Sequence, residues 1–552
     1  MKAKPFSISC LVIIPLTILV LTVLLWQKPD EDYPQWLPQV QSITLFSQTT
    51  LQLPKWYEIL SKEIQSKHLK IGLVNIDGTF KIQEGSLAKI EVIKFQSVAK
   101  DSKWKDYFPE WINEENVKEQ KCPEIPMPRF EDYNGINVVV AKIPCLEEEK
   151  GTKKMGYLDV LRLQINLVVA NLLVKSNGMS YNGDENGQVY AVFVGSCSNP
   201  MIEIFRCEDL LWNEENSFSI YKPDLKRLKH KVLMPVGTCQ VAPPLADPGQ
   251  EVWKKYANEA KFREPKEAYV SVLHSSEDYV CGAISLGQSI LHSGTSKDLI
   301  LLADESITPK SLNALKLAGW QIRHIQRIKS TNAEKDAYNE YNYSKLRIWE
   351  LIDYDKVIFL DSDLLVLKNL DQFFFYPQIT AVENCRHLFN SGVLLIEPSK
   401  CTFETLMEKT LSIVSYNGGD QGFLNEVFRW WHRWPATVNF LKDFYNVTVG
   451  PKHYYPENTH ALHYLGVKPW MCYKDYDCNW DIEEYQRFAS DSAHKRWWKI
   501  YEEMPEELKP FCGLTREMEQ RIIENREIAK KGNFSDGHWK IEVKDPRRRL
   551  ML

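Results

Sequence analysis

Val357-Ile-Phe-Leu runs directly into Asp361-Ser-Asp363-Leu-Leu-Val-Leu. Consecutive apolar residues of this kind read as a strand covered on both faces, as in a parallel sheet under helices. In an open α/β sheet, ligands bind beyond the carboxyl ends of the strands. Two carboxylates spaced i, i+2 at such an end repel each other unless a cation neutralises them. A hard divalent ion, Mn2+ or Mg2+, meets that need and can also bridge a diphosphate. The pair on its own is also what a solvated turn would contain. The buried strand in front of it favours the metal.

Other runs extend the α/β pattern. Ala268-Tyr-Val-Ser-Val-Leu, Asp298-Leu-Ile-Leu-Leu-Ala and Gly392-Val-Leu-Leu-Ile are strand-like, with helical segments between them. A mostly parallel sheet with helices on both faces is expected over 267–480. Lys70-Ile-Gly-Leu-Val-Asn-Ile, Ile136-Asn-Val-Val-Val-Ala and Val189-Tyr-Ala-Val-Phe-Val predict strands in a smaller α/β unit over 51–245, and Tyr157 to Val174 has helical spacing. That unit carries no catalytic motif and reads as an accessory domain. Pro243-Pro244, Pro248-Gly249 and Pro265 mark a linker over 246–266. Residues 481–552 read as a helical, then loosely ordered, extension.

Location is written at the N-terminus. Lys2 and Lys4 precede an uncharged stretch from Pro5 to Gln27. A bilayer needs roughly 20 apolar residues as a helix. Trp26 suits the interface, and the lysines put the short end in the cytosol. Residues 1–27 are thus expected to be a cytosolic tip and signal-anchor, with 28–50 as a stem. A cleaved signal peptide is the alternative, but no small-residue cleavage site follows. Of 12 cysteines, 11 lie beyond this stretch, which suits an oxidising compartment. The odd number leaves one unpaired or bonded to another chain, and a local Cys472–Cys478 bridge is plausible. Sequons occur at Asn342, Asn446 and Asn533; Asn446 and Asn533 suit glycans, whereas Asn342 lies beside a candidate donor motif. A net charge of −5 gives no sign of a nucleic-acid partner.

Three further motifs follow the carboxylate pair. Asn390-Ser391-Gly392 offers hydrogen-bonding side chains and a small residue for close approach to a ligand. Asn417-Gly418-Gly419-Asp420-Gln421-Gly422 suggests a loop pressed on a ligand, with Asp420 able to face a sugar. His460-Ala-Leu-His463-Tyr464-Leu465-Gly466-Val467-Lys468-Pro-Trp470 carries a possible metal ligand in His463 and a point cation for a diphosphate in Lys468. Each has an ordinary structural reading as a turn or a core histidine.

In order, these motifs resemble glycosyltransferase family 8, the glycogenin-like group. The match spans about Ala268 to Trp470 and includes Ser344-Lys345-Leu-Arg-Ile-Trp349 and Phe389-Asn-Ser-Gly392. The resemblance implies a GT-A fold, Rossmann-like, with a UDP-sugar donor and retention of anomeric configuration. It implies Mn2+ on Asp361, Asp363 and His463, with Ser362 between the carboxylates. Leu273, His274 and Tyr279 fall where the group contacts uridine. Lys345 would reach the donor sugar or phosphate; Asn390, Ser391, Asp420 and Gln421 would surround the sugar; Gly466 and Lys468 would hold the diphosphate. The anchor, the preceding domain and the Cys472–Cys478 segment are most similar to the plant UDP-glucuronate:xylan α-glucuronosyltransferases. That group implies a type II Golgi membrane enzyme with a lumenal catalytic domain, UDP-glucuronate as donor and an α-1,2 linkage to xylose, acting alone, as a homo-oligomer or within a synthase complex. Arg347, Arg386 and His387 are candidates for binding the glucuronate carboxylate. Two other readings stay open: another family-8 glucosyl or galactosyl transferase, and a catalytically silent glycan-binding subunit.

The expected chemistry is electrostatic. The metal and Lys468 stabilise charge on departing UDP, and the acceptor hydroxyl attacks from the same face. Asp420 is the one motif carboxylate placed to act instead as a nucleophile; the front-face route is favoured.

Overall fold

The computed structural model describes residues 54–64, 69–76, 88–108, 114, 123–145, 156–177, 188–232, 265–385, 388–444 and 453–547. The expected anchor, stem, most of the linker, Arg386, His387 and the Asn446 sequon lie outside the described residues.

The N-terminal unit is a six-stranded sheet: β1 (Leu69–Val74), β2 (Ala88–Val92), β3 (Val138–Lys142), β4 (Tyr190–Val194), β5 (Leu210–Glu214) and β6 (Phe218–Tyr221), in the order β2-β1-β3-β4-β6-β5. Strands β2, β1, β3 and β4 are parallel, and β6 is antiparallel to both of its neighbours, β4 and β5. The apolar run of β3 is buried on both faces, as a central parallel strand demands. The helix Tyr157–Asn177 lies against it. Among the described residues it is the one helix long and apolar enough to cross a membrane, but most of it is buried inside this unit. Gln164 within it satisfies loops on either side, accepting from Val98 N and donating to Gln96 O and Pro126 O. Its apolarity is that of a core helix.

The second unit holds β7 (Glu267–Leu273), β8 (Asp298–Ala303), β9 (Gln321–His324), β10 (Lys356–Leu360), β12 (Thr380–Cys385), β13 (Leu388–Ile396) and β14 (His432–Trp434), in the order β14-β12-β13-β10-β7-β8-β9. Strands β10, β7, β8 and β9 are parallel, whereas β13 is antiparallel to both β10 and β12. The sheet is mostly parallel, as expected: six of the seven strands run the same way and β13 alone is reversed. The connection from β12 to β13 is short, so the chain turns back beside itself, and antiparallel pairing is what so short a link permits. A second, three-stranded sheet, β11 (Leu364–Val366), β16 (Ala461–His463) and β15 (Phe440–Leu441), lies beyond the end of β10.

The two units are joined by side chains as well as by chain. Cys207 is bonded to Cys401. Arg206, buried, meets Glu397 at 2.9 Å. Arg429 reaches Asp159 at 2.7 Å, and Trp430 sits in the core of the N-terminal unit. Further bridges are Cys145–Cys197, Cys281–Cys512 and Cys472–Cys478, and Cys385 is also disulfide-bonded. No described cysteine is free, so the odd thiol expected from the count is not among them.

The C-terminal part differs from the loosely ordered tail expected. Helices Asp491–Glu503 and Arg516–Lys531 pack on the catalytic unit, and the chain stays packed to residue 547. Arg547 is buried, pairs with Asp545 at 2.8 Å and donates to Trp470 O, Cys472 O and Cys512 O. A buried guanidinium persists only when its donors are met in this way.

Asp481 in this region is buried, and burial pushes its carboxyl up to about 6, with the Tyr476 hydroxyl at 2.5 Å and Arg526 pulling it back. A carboxyl with a raised folded pKa holds its proton more tightly folded than unfolded. Its effect therefore favours folding below about pH 4 and turns against it as pH rises to about 6. Denaturant titrations from pH 4 to 7 are expected to show stability falling by up to about 3 kcal/mol from this group, with the slope flattened in Asp481→Asn.

Candidate active site

The site forms where the ends of β10 and β16 meet. Asp361 N donates to Gly392 O at 2.9 Å, which ends the β10–β13 ladder. The chain then turns through Ser362 and enters β11. Strand β16 pairs antiparallel with β11, with Leu364 opposite His463, and Tyr464 N donates to Asp363 O at 3.0 Å. This register brings His463 beside a carboxylate far from it in sequence. A ring nitrogen of His463 and one oxygen each of Asp361 and Asp363 lie within 4.8 Å of one another. Two carboxylates and an imidazole form a donor set for a hard or borderline divalent cation. The other close trio, Cys207, Glu208 and Cys401, offers no thiolates because its cysteines are bonded to each other.

His463 is held in place through both ring nitrogens. Its Nδ1 faces Asn439 Oδ1 at 3.1 Å, while Nε2 faces Asp363 Oδ1 at 3.2 Å. Asn439 in turn donates to Asn390 Oδ1 at 2.9 Å, which also accepts from Gly392 N. When Nδ1–H is given to Asn439, a neutral ring turns its Nε2 lone pair toward a cation held between the carboxylates, whereas a protonated ring donates from Nε2 to Asp363. A Cβ on Gly392 would sit 2.5 Å from His463 Cε1, so the imidazole occupies the space that a side chain would need. The close approach expected at this glycine is thus to the histidine. Asn390–Gly392 also lies inside β13, at an irregularity where Ala381 pairs with Leu394 and Val382 with Asn390. Gly282 has a matching role. A Cβ there would strike Ser362 O and Trp470, so the helix Val280–His292 can press against the carboxylate turn.

Two lysines compensate the carboxylates. Lys468 meets Asp363 Oδ2 at 2.7 Å and donates to Tyr464 O at 2.5 Å. Lys345, buried, meets Asp420 at 2.6 Å and Asp361 at 3.2 Å and donates to Ser391 O at 3.1 Å. Burial alone would raise the Asp363 carboxyl, but Lys468 and His463 outweigh it and hold it well below the usual range. Asp361 goes the other way, raised by burial, with Lys345 only partly offsetting this and Asp363 adding to it. Both lysines are raised, because their carboxylate partners outweigh burial. Three carboxylates against two ammoniums leave one negative charge, and a divalent cation would turn the site positive toward a diphosphate.

The remaining expected residues divide. Gln421 Oε1 accepts from Ser391 N at 3.2 Å and Asn390 Nδ2 at 3.3 Å, so it joins the cluster. His274 is half-buried; burial lowers its pKa, while Asp304 and Asp420 act to raise it and Lys345 and Arg327 to lower it, which puts it in the cluster's field. Tyr279 packs edge-on against Trp470 at 5.9 Å, and Trp470 Nε1 holds Asp278 O at 2.9 Å. Other residues are turned away. Leu273 is buried in the hydrophobic core, so its side chain is spent on packing. Asn417 Oδ1 accepts from Gly419 N and Gly422 N and so folds its own loop. Gly418, at φ +69°, has its carbonyl bonded by Ser330 Oγ at 2.7 Å. The Tyr464 ring is buried, with its hydroxyl on Ala493 O, while Leu465 and Gly466, at φ +73°, carry the turn to Lys468. Val467 is fixed through its backbone by Asn479. Arg347 pairs with Glu350 and Gln326 O and stacks on Phe403, so its guanidinium is engaged outside this cluster.

Two residues escaped the sequence reading. Asn439, which orients His463, has no local signature. Asp304, buried directly after β8, accepts from Ser275 N and Ser306 N; its signal was an apolar strand ending on a carboxylate, the pattern that marked Asp361.

Residues 44–239 match the GUX1-5 N-terminal domain, and residues 271–377 and 376–473 match glycosyl transferase family 8. UDP-glucuronate:xylan alpha-glucuronosyltransferase 2 of Arabidopsis thaliana is 48% identical over 520 residues, covering 92% of this chain and 85% of that protein. UDP-glucuronate:xylan alpha-glucuronosyltransferase 1 of the same plant is 42% identical, covering 85% of this chain and 69% of that protein. A crystal structure of the galactosyltransferase LgtC with donor and acceptor sugar analogs aligns at TM-score 0.34 and 17% identity, covering 44% of this chain and 99% of that one.

Asn439→Ala removes the acceptor that orients His463. If this set holds a divalent cation, its affinity, measured with Mn2+ by calorimetry or electron paramagnetic resonance titration, is expected to fall about 10- to 100-fold, and stability to fall by about 1–3 kcal/mol because buried partners on Asn390 and His463 lose their bond. Residues matched on both sides of the linker, and relatives aligned along most of the chain, support one assignment: the chain belongs to glycosyl transferase family 8, in the branch whose catalytic domain follows a GUX1-5 N-terminal domain.

Proposed function

We propose that the protein transfers glucuronic acid from UDP-glucuronate to xylose units of xylan, forming an α-1,2 linkage with retention. The observation that carries this reading is the 48% identity, along 92% of the chain, to a protein named for that activity. The bridged cysteines suit an oxidising lumen, in line with a type II Golgi membrane protein anchored by residues 1–27.

In the proposed reaction the C1–O bond to the UDP phosphate breaks, a C1–O bond to the acceptor forms, and the hydroxyl proton passes to the departing phosphate. Mn2+, held by Asp361, Asp363 and His463, would supply Lewis-acid stabilisation of the diphosphate. Lys468 adds a fixed cation on the same side of the site. The cradle of Asn390, Ser391 and Gln421 offers donors and acceptors to sugar hydroxyls. Asp420 is paired with Lys345 at 2.6 Å. That pairing makes it a charge partner rather than a free nucleophile and favours the front-face route. Recognition of the glucuronate carboxylate falls to Arg386 and His387 in this reading, since Arg347 is engaged elsewhere.

The test is purified protein with Mn2+, a panel of UDP-sugars and xylo-oligosaccharides. Transfer from UDP-glucuronate, giving a product that an α-1,2-glucuronidase cleaves, is expected; preference for UDP-glucose or UDP-galactose would overturn the donor assignment. Asp363→Ala should lower metal-dependent turnover by at least about a thousandfold, a loss of about 4 kcal/mol in transition-state stabilisation, and normal turnover in that variant would remove the metal assignment.

A further inference from the structure

Two loops beside Asp420 hold apolar side chains out in solvent. The first runs from Ser330 to Glu340 and is closed by Ser330 N donating to Glu340 O at 2.7 Å. Inside it, Glu340 pairs with Lys329 at 2.8 Å and accepts from Asp336 N at 2.9 Å. The second is the stretch from Thr410 to Gly419. The loops are fastened together: Thr331 Oγ1 donates to Thr410 O at 2.8 Å, Asn339 Nδ2 to Asn417 O at 2.9 Å, and Ser330 Oγ to Gly418 O at 2.7 Å. On this cross-braced base Tyr338 is 81% exposed, Leu411 83%, Val414 75% and Tyr416 49%. Single exposed apolar residues need no explanation, but these four stand on two loops fastened to each other, and the joined loops make one exposed, partly apolar ridge beside Asp420. The ridge is continuous with the candidate site, because Gln421 Nε2 bonds the Tyr416 hydroxyl at 3.1 Å while Gln421 Oε1 holds Ser391 N. The charge of Asp420 acts on the hydroxyls of both Tyr338 and Tyr416, which places both rings within its electrostatic reach.

We propose that this ridge, led by Tyr338 and Tyr416, is the acceptor platform, on which an unsubstituted chain of β-linked pentoses lies with its sugar faces against the rings. The proposal rests on the xylan reading above and deepens it. A pentose without a hydroxymethyl group presents flat apolar C–H faces, and a tyrosine offers a matching apolar face and a polar tip. The braced loops present the rings preordered, so binding costs little loop entropy. A platform spread over two loops beside the transfer site serves a polymer better than a monosaccharide, since units next to the reacting one can rest on it.

The experiment compares wild type with Tyr338→Ala, Val414→Asp and the Tyr338→Ala/Tyr416→Ala double variant. Steady-state kinetics use UDP-glucuronate with xylobiose and with xylohexaose. For xylohexaose the acceptor KM is expected to rise about two- to tenfold per ring lost, while KM for UDP-glucuronate stays within about twofold. Xylobiose should show a smaller change, and Tyr338→Phe should behave as wild type. An unchanged xylohexaose KM in the double variant overturns the platform. So does a change in oligomeric mass by light scattering without a change in KM, which would mark the ridge as a protein contact. A wild type that transfers nothing to either oligosaccharide is instead a failure of the xylan reading, and calorimetry without donor then decides the platform. Xylohexaose binding that the double variant weakens supports it, and no binding to wild type overturns it.

Discussion

Charge compensation around Asp361 and Asp363 is the constraint on which the site is built. Two carboxylates sit close together at the end of a buried strand, where each is at most partly exposed and screening is weaker than in bulk water. Their neighbours answer that problem. Lys468 takes Asp363, Lys345 spans Asp361 and Asp420, and His463 turns a ring nitrogen toward the pair. The backbone that delivers these groups is correspondingly tight. Gly282 lets the helix Val280–His292 meet the Ser362 carbonyl, and Gly392 makes room for the imidazole. A site of this kind stores little freedom, which suits chemistry that depends on preset dipoles and charges.

The N-terminal unit carries no catalytic motif, yet it is bound to the catalytic unit at several points. The loop that follows the helix Asp420–Val427 places Trp430 in the other unit's core and Arg429 on Asp159. Arg429 N and Trp430 N both donate to the buried carboxyl of Glu203. The helix that presents Asp420 and Gln421 is therefore braced from behind by the accessory unit. Positioning, by fixing the base of the helix, is a physical role that its sequence alone did not suggest.

Much of the architecture was legible because buried strands announce themselves. Asp298–Ala303, Lys356–Leu360 and Tyr190–Val194 are apolar runs that fall where expected, and the helix from Tyr157 has clear periodicity. The cluster of Asp361, Asp363, His463 and Lys468 was legible only through a resemblance, because its members meet by the register of β11 on β16, and pairing across so long a separation leaves no local pattern. What the sequence did not foretell about individual side chains has the same cause. Asn439 looks like any polar residue until its contact with His463 is seen. Asn417 resembles a ligand residue by its glycine context, whereas its carboxamide closes its own turn. Leu273 sits at the right strand end but points into the core. The tail near Arg547 reads as loosely ordered from its charge, and it is packed because three backbone carbonyls and Asp545 receive the guanidinium.

The contact between Gly392 and His463 carries an evolutionary corollary. Any side chain at position 392 would crowd both the imidazole and the Asn390 carboxamide oxygen, so the glycine is needed while those two groups hold their places. On the proposed metal reading, a descendant that gave up the metal and this hydrogen-bonded set would be released from the constraints together. Among sequences of this kind, a bulky residue at position 392 would then point to a lineage without cation-dependent transfer, even where the Asp-x-Asp pair survives. The glycine, chemically inert itself, thus becomes a marker for sorting working enzymes from relics.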